Sequence, residues 1–425
     1  MTDKTNVSAS TLFVSTLTIA VVVVSMLFAG CAKPPPKPLD RPALDTPLSL
    51  EVAVRMIAYD LFAQINNQHL PRALTLAERV KTQGKTQTET KSFSFATDAV
   101  MNGDTGEEIE LSAQVNDIIK NTASNSFPQF SFKAMTPQSI GDVDLVILGV
   151  IKHETYNNNS AKFYRLYLSA VDMKSGQVKA HSEAWLANQD LKLLPTPLFA
   201  DSPMFIRDTR SEKIIATATA ATGSTVDKDY LAAMETNALL AEAAKAYDDG
   251  NHQEAVKLFG KAAEREDGQI LKTYAGLYQA HLKLKQLGPA EDAFAKLAEI
   301  GIKNGSLSVK FLFQVNDTRL FGQGDELLEY DIWLRQLAKK IIESGACVEI
   351  SGHASHTGSA DYNKKLSEKR SNRIQKQMLT YAPEIARKTS AVGRGFEENI
   401  VGSGTDDIRD AIDRRVEFKV MECRQ

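Results

Sequence analysis

Apolar residues recur at Leu50, Val54, Ile57, Leu61 and Ile65, the spacing of one helix face. Near Phe93 the period changes to two, and "KSFSFATDAV" predicts a strand. "EEIELSAQVNDIIKNTASNSFPQF" returns to helical spacing. "DVDLVILGVIKHE" and "KFYRLYLSAVDMKSGQV" predict a hairpin pair, with "KSGQ" as the turn after the second strand. The order helix–strand–helix–strand–strand predicts a small α/β layer domain over residues 48–208.

A helical linker follows and then helices that repeat, over residues 209–304. "AKAYDDGNHQEAVKLFGKAAE" aligns with "YQAHLKLKQLGPAEDAFAKLAE", pairing Tyr247 with Leu282, Ala255 with Ala290, Phe259 with Phe294 and Ala263 with Ala298, each 35 residues apart. Small alanines let helices approach, and the phenylalanines fill the groove between them. The last region, 305–425, reads β-α-β-α-β. Val309, Phe311 and Phe313 alternate in "SLSVKFLFQVND", and Leu327, Leu328, Ile332, Leu337 and Ile341 are in helical spacing. "CVEISGH", a helix from "DYNKKLSEKRSNRIQKQML", a loop with "GRGFEENIVGSGTDD" and the strand "RRVEFKV" complete it.

At 425 residues the chain has room for two or three domains. Its net charge of −3, with no basic cluster interleaved with aromatics, excludes nucleic acid as an expected partner. No nucleophile elbow, phosphate-binding glycine loop or zinc-type cysteine set is present, so neither enzymatic activity nor a cofactor is expected. Asp98, Asp104, Glu107 and Glu108 in "DAVMNGDTGEE" lack the alternation of a calcium loop and predict a strand-to-helix turn. His353 and His356 lie on a loop with no third ligand at a recognisable spacing, so no metal is expected there either.

The N-terminus carries Lys4, then "VVVVSMLFAGC". The run is short and ends in small residues before Cys31. It resembles the lipobox of bacterial lipoproteins, although Phe28 stands where leucine is usual and Asp3 sits beside Lys4. The resemblance implies cleavage of residues 1–30, lipidation of Cys31 and, with Ala32 following, an outer-membrane protein facing the periplasm. An uncleaved anchor or an ordinary signal peptide is the alternative. "KPPPKPLDRPALDTP", within residues 31–47, predicts an extended tether. Cys347 and Cys423 then remain in an oxidising compartment, and they are either a disulfide or two separate thiols.

Residues 48–208 resemble LpoB-type penicillin-binding-protein activators and, more loosely, CsgG-like lipoprotein domains, through "DAVMNGDTGEE", "FPQF", "VILGVI" and "LSAVDMKSGQVKAHSEAW". The helical repeat, from about Leu231 to Asn304, resembles tetratricopeptide repeats. That pair is either a partner-binding face or a rigid spacer.

The C-terminal region resembles the OmpA-like peptidoglycan-binding domain. Phe313, Asn316, Gly352-His353, Gly358, "YNKKLSEKRS", the late "GRG" and Arg414-Arg415-Val416 carry the likeness. At 100° per residue, Asn363, Arg370 and Ile374 share one helix face, so Arg370 lies on the apolar side and needs a partner. From the residues alone that partner is an internal carboxylate. The resemblance instead implies that Arg370 grips the carboxylate of a diaminopimelate stem peptide, with Asn316, Asn363 and Arg414 around it. The family's aspartate for the ligand ammonium is replaced here by Ser355, in "GHAS", which implies weakened binding or a carboxylate from elsewhere, with Asp361 the nearest candidate. The expected role is a non-enzymatic outer-membrane lipoprotein that binds peptidoglycan. The alternative is a regulatory lipoprotein that activates a cell-wall synthase or scaffolds an envelope machine.

Overall fold

The computed structural model describes residues 46–68, 91–156, 162–187, 191–314, 317–320, 322, 324–400 and 413–423. Cys31, the leader, residues 33–45 of the tether and Asn316 lie outside the described residues.

Helix α1 (Leu50–Gln68) buries Val54, Ile57, Leu61 and Ile65, the stripe its spacing predicts. With α2 (Leu111–Ser126), which buries Leu111, Val115, Ile119 and Ala123, it covers one face of a five-stranded sheet. The strands are β1 (Phe93–Asn102), β2 (Phe130–Phe132), β3 (Leu145–Thr155), β4 (Lys162–Asp172) and β5 (Val178–Leu186), in the order β2-β1-β3-β4-β5. β1 runs parallel to β2 and β3, and β3, β4 and β5 are antiparallel. The pattern did not single out β2 and β5. β2 is three residues long, and β5 spends its inward positions on Ala180, Ser182 and Ala184, which carry little apolar signal.

The domain also extends past its expected end at 208. A short helix α3 (Pro197–Asp201) is followed by α4 (Thr209–Ala218), α5 (Lys228–Ala232) and α6 (Met234–Asp248). Ile215, Ala218, Tyr230, Met234 and Ala238 from α4, α5 and the start of α6 pack on Val146, Leu148, Val150 and Val171, the sheet's second face. Residues that read as a linker are therefore the second helical layer.

α6 pairs with α7 (His252–Ala263), and α8 (Leu271–Lys283) pairs with α9 (Leu287–Lys303). Ala255, Ala290, Phe259, Phe294 and Ala298 are fully buried between these helices. A Cβ on Gly276 would come within 2.3 Å of the Phe259 ring, so only glycine lets α7 and α8 close this far. α3 lies against α6 and α8. Leu198 N–H donates to Asp248 at 2.8 Å, Tyr247 O–H donates to Asp201 at 2.6 Å, and Lys283 pairs with Asp201 at 2.8 Å. The chain thus covers part of its own helical face.

The C-terminal sheet has the order β6-β9-β7-β8, from β6 (Ser306–Val309), β7 (Cys347–His353), β8 (Thr389–Gly395) and β9 (Val416–Met421). Helices α10 (Asp325–Ser344) and α11 (Ala360–Tyr381) pack on it through Trp333, Leu337, Ile341, Ile374 and Met378. The order is β-α-β-α-β-β, one strand more than expected. The extra strand, "TSAVGRG", is small and glycine-rich and shows no period of two. β6 is shorter than expected: it ends at Val309, and Phe313 instead bridges Leu320. Cys347 on β7 and Cys423 beyond β9 form a disulfide.

The described residues form one compact unit. At its junction, Lys310 donates to the Phe199 carbonyl at 2.6 Å and pairs with Glu107 at 3.3 Å. Lys272 pairs with Glu108 alongside.

Candidate functional site

Two glycines seat α11 directly on the sheet. A Cβ on Gly352 would sit 2.2 Å from the Ser367 carbonyl, and one on Gly393 would sit 2.5 Å from Lys364 O and Glu368 N. Ser359 caps the helix by accepting from Tyr362 N–H. This contact turns Asn363, Ser367, Arg370, Ser371 and Ile374 inward, and all five are buried.

Arg370 is 4% exposed. Its Nε donates to the Asp317 carbonyl at 3.2 Å and its Nη2 to the Gln314 carbonyl at 3.3 Å. The guanidinium lies 4.9 Å from the centre of the Phe313 ring. The described partners are thus main-chain carbonyls of the Phe313–Leu320 turn and an aromatic face. Carbonyls satisfy the N–H groups of a buried cation without cancelling its charge.

Asn363 donates from Nδ2 to the Thr357 carbonyl at 2.7 Å and so ties the helix to the loop after β7. Ser355 is buried on that loop, with its hydroxyl 3.2 Å from that of Thr357. Asp361 is exposed on the first turn of α11. The Asp317 carboxylate accepts from Thr318 N–H, Arg319 N–H and Arg319 Nε, and these bonds hold it below the usual carboxylate range. Asp317 went unremarked in the sequence because it follows the strand rather than the Gly-His loop. Arg414 is half-buried, whereas its neighbour Arg415 is 5% exposed and reaches Glu417 at 3.4 Å.

The two histidines part company. His356 is exposed, with its ring 4.4 Å from that of Phe396. His353 is buried, with Nε2 3.5 Å from Glu417. Burial lowers its pKa and keeps the imidazole neutral. Donor atoms of His353, Glu398 and Glu417 lie within 4.8 Å of one another, a spacing that could hold a metal ion. Cations already serve both carboxylates: Arg415 reaches Glu417, and Lys419 reaches Glu398 at 2.9 Å. Arg415, Lys419 and His353 hold the Glu417 carboxyl at about 2 despite its burial. A divalent ion here would sit among positive charges, so the cluster reads as an ion-pair network.

A cavity of about 50 Å³ lies elsewhere, lined by Asp98, Glu108, Arg210 and Lys272 among others. Burial there raises the Asp98 carboxyl to about 6. Among the described residues no helix is long and apolar enough to cross a membrane.

With this geometry in hand, one comparison is decisive for the C-terminal region. Residues 312–412 match the OmpA family. No curated protein matches the chain. Among solved structures, the peptidoglycan-associated lipoprotein of Burkholderia pseudomallei is 20% identical, with a TM-score of 0.23, over 28% of this chain and 93% of that one. The cell wall anchor of the T6SS from Pseudomonas aeruginosa is 20% identical, with a TM-score of 0.23, over 27% and 80%. A MotB-like protein from Desulfovibrio vulgaris is 26% identical, with a TM-score of 0.23, over 28% and 74%. The OmpA-family match covers the turn that receives Arg370, the whole of α11 and the loop bearing Ser355.

Proposed function

We propose that this chain is a non-enzymatic outer-membrane lipoprotein that holds peptidoglycan through its OmpA-family domain. The observation that carries the reading is the buried Arg370 on α11, on the same helix face as Asn363 and against the Phe313 turn, inside a stretch that matches that family. Its planar fork suits the second carboxylate of a diaminopimelate stem peptide. Asn363 holds the loop that would form the other wall, and Ser355 would meet the ligand ammonium with a neutral oxygen. Affinity below that of a pocket with an aspartate there follows, since a charge-assisted bond is about twice as strong as a neutral one. Cys31, lipidated, would supply the membrane end. The first domain and the helical pair would space the two ends, and α3 covering part of the helical face favours the spacer role.

Cosedimentation of the full chain with purified diaminopimelate-type sacculi tests the reading. Wild type pellets, and R370A pellets less and is no longer released by free diaminopimelate. Equal, low sedimentation of both would sink it.

A regulatory role for the first domain has one observation in its favour. On the sheet's second face, Arg165, paired with Glu154 and Glu183, lies over the buried rings of Tyr167 and Trp185, with the half-buried Tyr156 and Phe163 beside them. Arg, Tyr and Trp are the residues that dominate protein contacts. A variant lacking the first domain that retains sacculus binding but loses co-purifying envelope proteins would support it.

A further inference from the structure

The pocket helix carries an unusual charge. α11 holds six cations and two carboxylates, a net of +4, in a chain whose total is −3. Arg370 is turned inward. At 100° per residue, Lys365, Lys369, Arg373 and Lys376 fall within an 80° arc on the outer side, next to the arc of Asn363, Arg370 and Ile374. The three lysines are exposed and Arg373 is half-buried. None of the four makes an ion pair with a described carboxylate, and Arg373 Nε is buried with no partner among the described residues. By contrast Lys364, on the opposite side, pairs with Glu397 at 2.9 Å. Tyr362, 48% exposed, lies in the same arc at the helix N-terminal end.

An unpaired row of cations repels itself and gains from a polyanion laid along it. We infer that this row is a second contact for the anionic wall polymer, a carboxylate-bearing glycopeptide that runs along α11 from the Arg370 pocket. The inference rests on the wall-binding reading and extends it. Three observations favour this occupant. The row borders the pocket face, so one polymer reaches both. Its charge is opposite to that of the polymer's free carboxylates. An exposed tyrosine among the lysines offers a ring face to a sugar. The contact also offsets the lack of an aspartate at Ser355: affinity missing from the pocket comes from a less specific electrostatic surface beside it. An anionic membrane is the competing occupant, and the continuity of the row with the Arg370 face favours the polymer.

The test compares the full wild-type chain, K365Q/K369Q/K376Q and R370A. Binding to purified sacculi is measured between about 50 and 500 mM NaCl, a range over which screening shortens from beyond 10 Å to a few Å. Each protein is also offered vesicles of phosphatidylethanolamine with phosphatidylglycerol. The triple variant is expected to bind sacculi about ten-fold more weakly at low salt, with a shallower salt dependence and an unchanged melting temperature. Free diaminopimelate still competes with it. R370A is expected to lose that competition and keep the steep salt dependence. The inference is overturned if wild type binds, diaminopimelate competes, and the triple variant matches wild type at every salt. It is equally overturned if the triple variant loses only vesicle binding. If wild type fails to bind sacculi at any salt, the wall-binding reading falls first and takes the inference with it.

Discussion

Arg370 Nε donates to the main-chain carbonyl of Asp317 at 3.2 Å, across 53 residues of sequence. That bond joins the pocket helix to the turn after β6, and it sets what a ligand must do. A carboxylate reaching the guanidinium would compete with the two carbonyls that accept from Nε and Nη2. Exchanging a neutral acceptor for a charged one is favourable where both are shielded from water.

The charge missing from the pocket is testable by addition. Ser355→Asp restores a carboxylate on the loop, next to the Thr357 hydroxyl. Sacculus affinity should rise about five-fold, the factor expected when one neutral hydrogen bond becomes charge-assisted. If affinity is unchanged while the variant folds normally, Ser355 does not face the ligand. Asp317→Asn then becomes the next variant, because its carbonyl already meets Arg370.

Buried Asp98 gives a pH signature. Its folded-state pKa of about 6 lies above the ordinary 3.8, so the folded form favours the proton. Its stabilising contribution is complete in acid and is lost as pH rises through about 6. D98N keeps an acceptor for the Ala99 N–H and removes the charge. It should exceed wild type in stability at pH 7.5, by about 3 kcal/mol at most, and the gap should narrow as pH falls through about 6 and close below about pH 4. Thermal melts across that range check it. A pH-independent gap would mean that the carboxyl is not desolvated. Glu417 acts in the opposite sense: held at about 2, it contributes stability above pH 4.5 that is lost as pH falls toward 2.

Gly276 faces Phe259 so closely that a methyl group has no space. Gly276→Ala should cost about 1–3 kcal/mol through overpacking and lower the melting temperature by about 3–8 °C, even though alanine favours helix. A variant that melts at or above the wild-type temperature would show that α7 and α8 do not pack face to face here.

The disulfide between Cys347 and Cys423 closes a loop of 76 residues around the pocket helix. Its removal should cost about 2–5 kcal/mol. Dithiothreitol should therefore lower the melting temperature of wild type and leave C347S/C423S unchanged. Detection of two free thiols in the protein oxidised and purified without reductant would contradict the pairing.

The sequence was most legible where one period dominated. Leu50 to Ile65 and Leu111 to Ala123 marked their helices because each buries one stripe. It was least legible where packing overrode pattern. "TSAVGRG" became β8 because Gly393 lets α11 lie on it, and no period announced that. Residues 209–238 read as linker because their apolar face meets a sheet far back in the chain. That Asn363 and Arg370 share the inward face of α11 was legible from helical phase. The carbonyls of Gln314 and Asp317 were not, since main-chain acceptors leave no mark in side-chain pattern. The row Lys365, Lys369, Arg373 and Lys376 is plain in the sequence, but that none of the four pairs with a carboxylate among the described residues shows only in the structure.

The central claim is that Arg370 takes the ligand's second carboxylate. Calorimetric titration of the full chain with two stem peptides, one with diaminopimelate and one with lysine at the same position, isolates that group. The account predicts that wild type binds the diaminopimelate peptide and binds the lysine peptide at least about ten-fold more weakly, as the loss of one charge-assisted contact implies. It also predicts that R370A no longer distinguishes them. Equal affinity of wild type for both peptides, or undiminished discrimination in R370A, would contradict it.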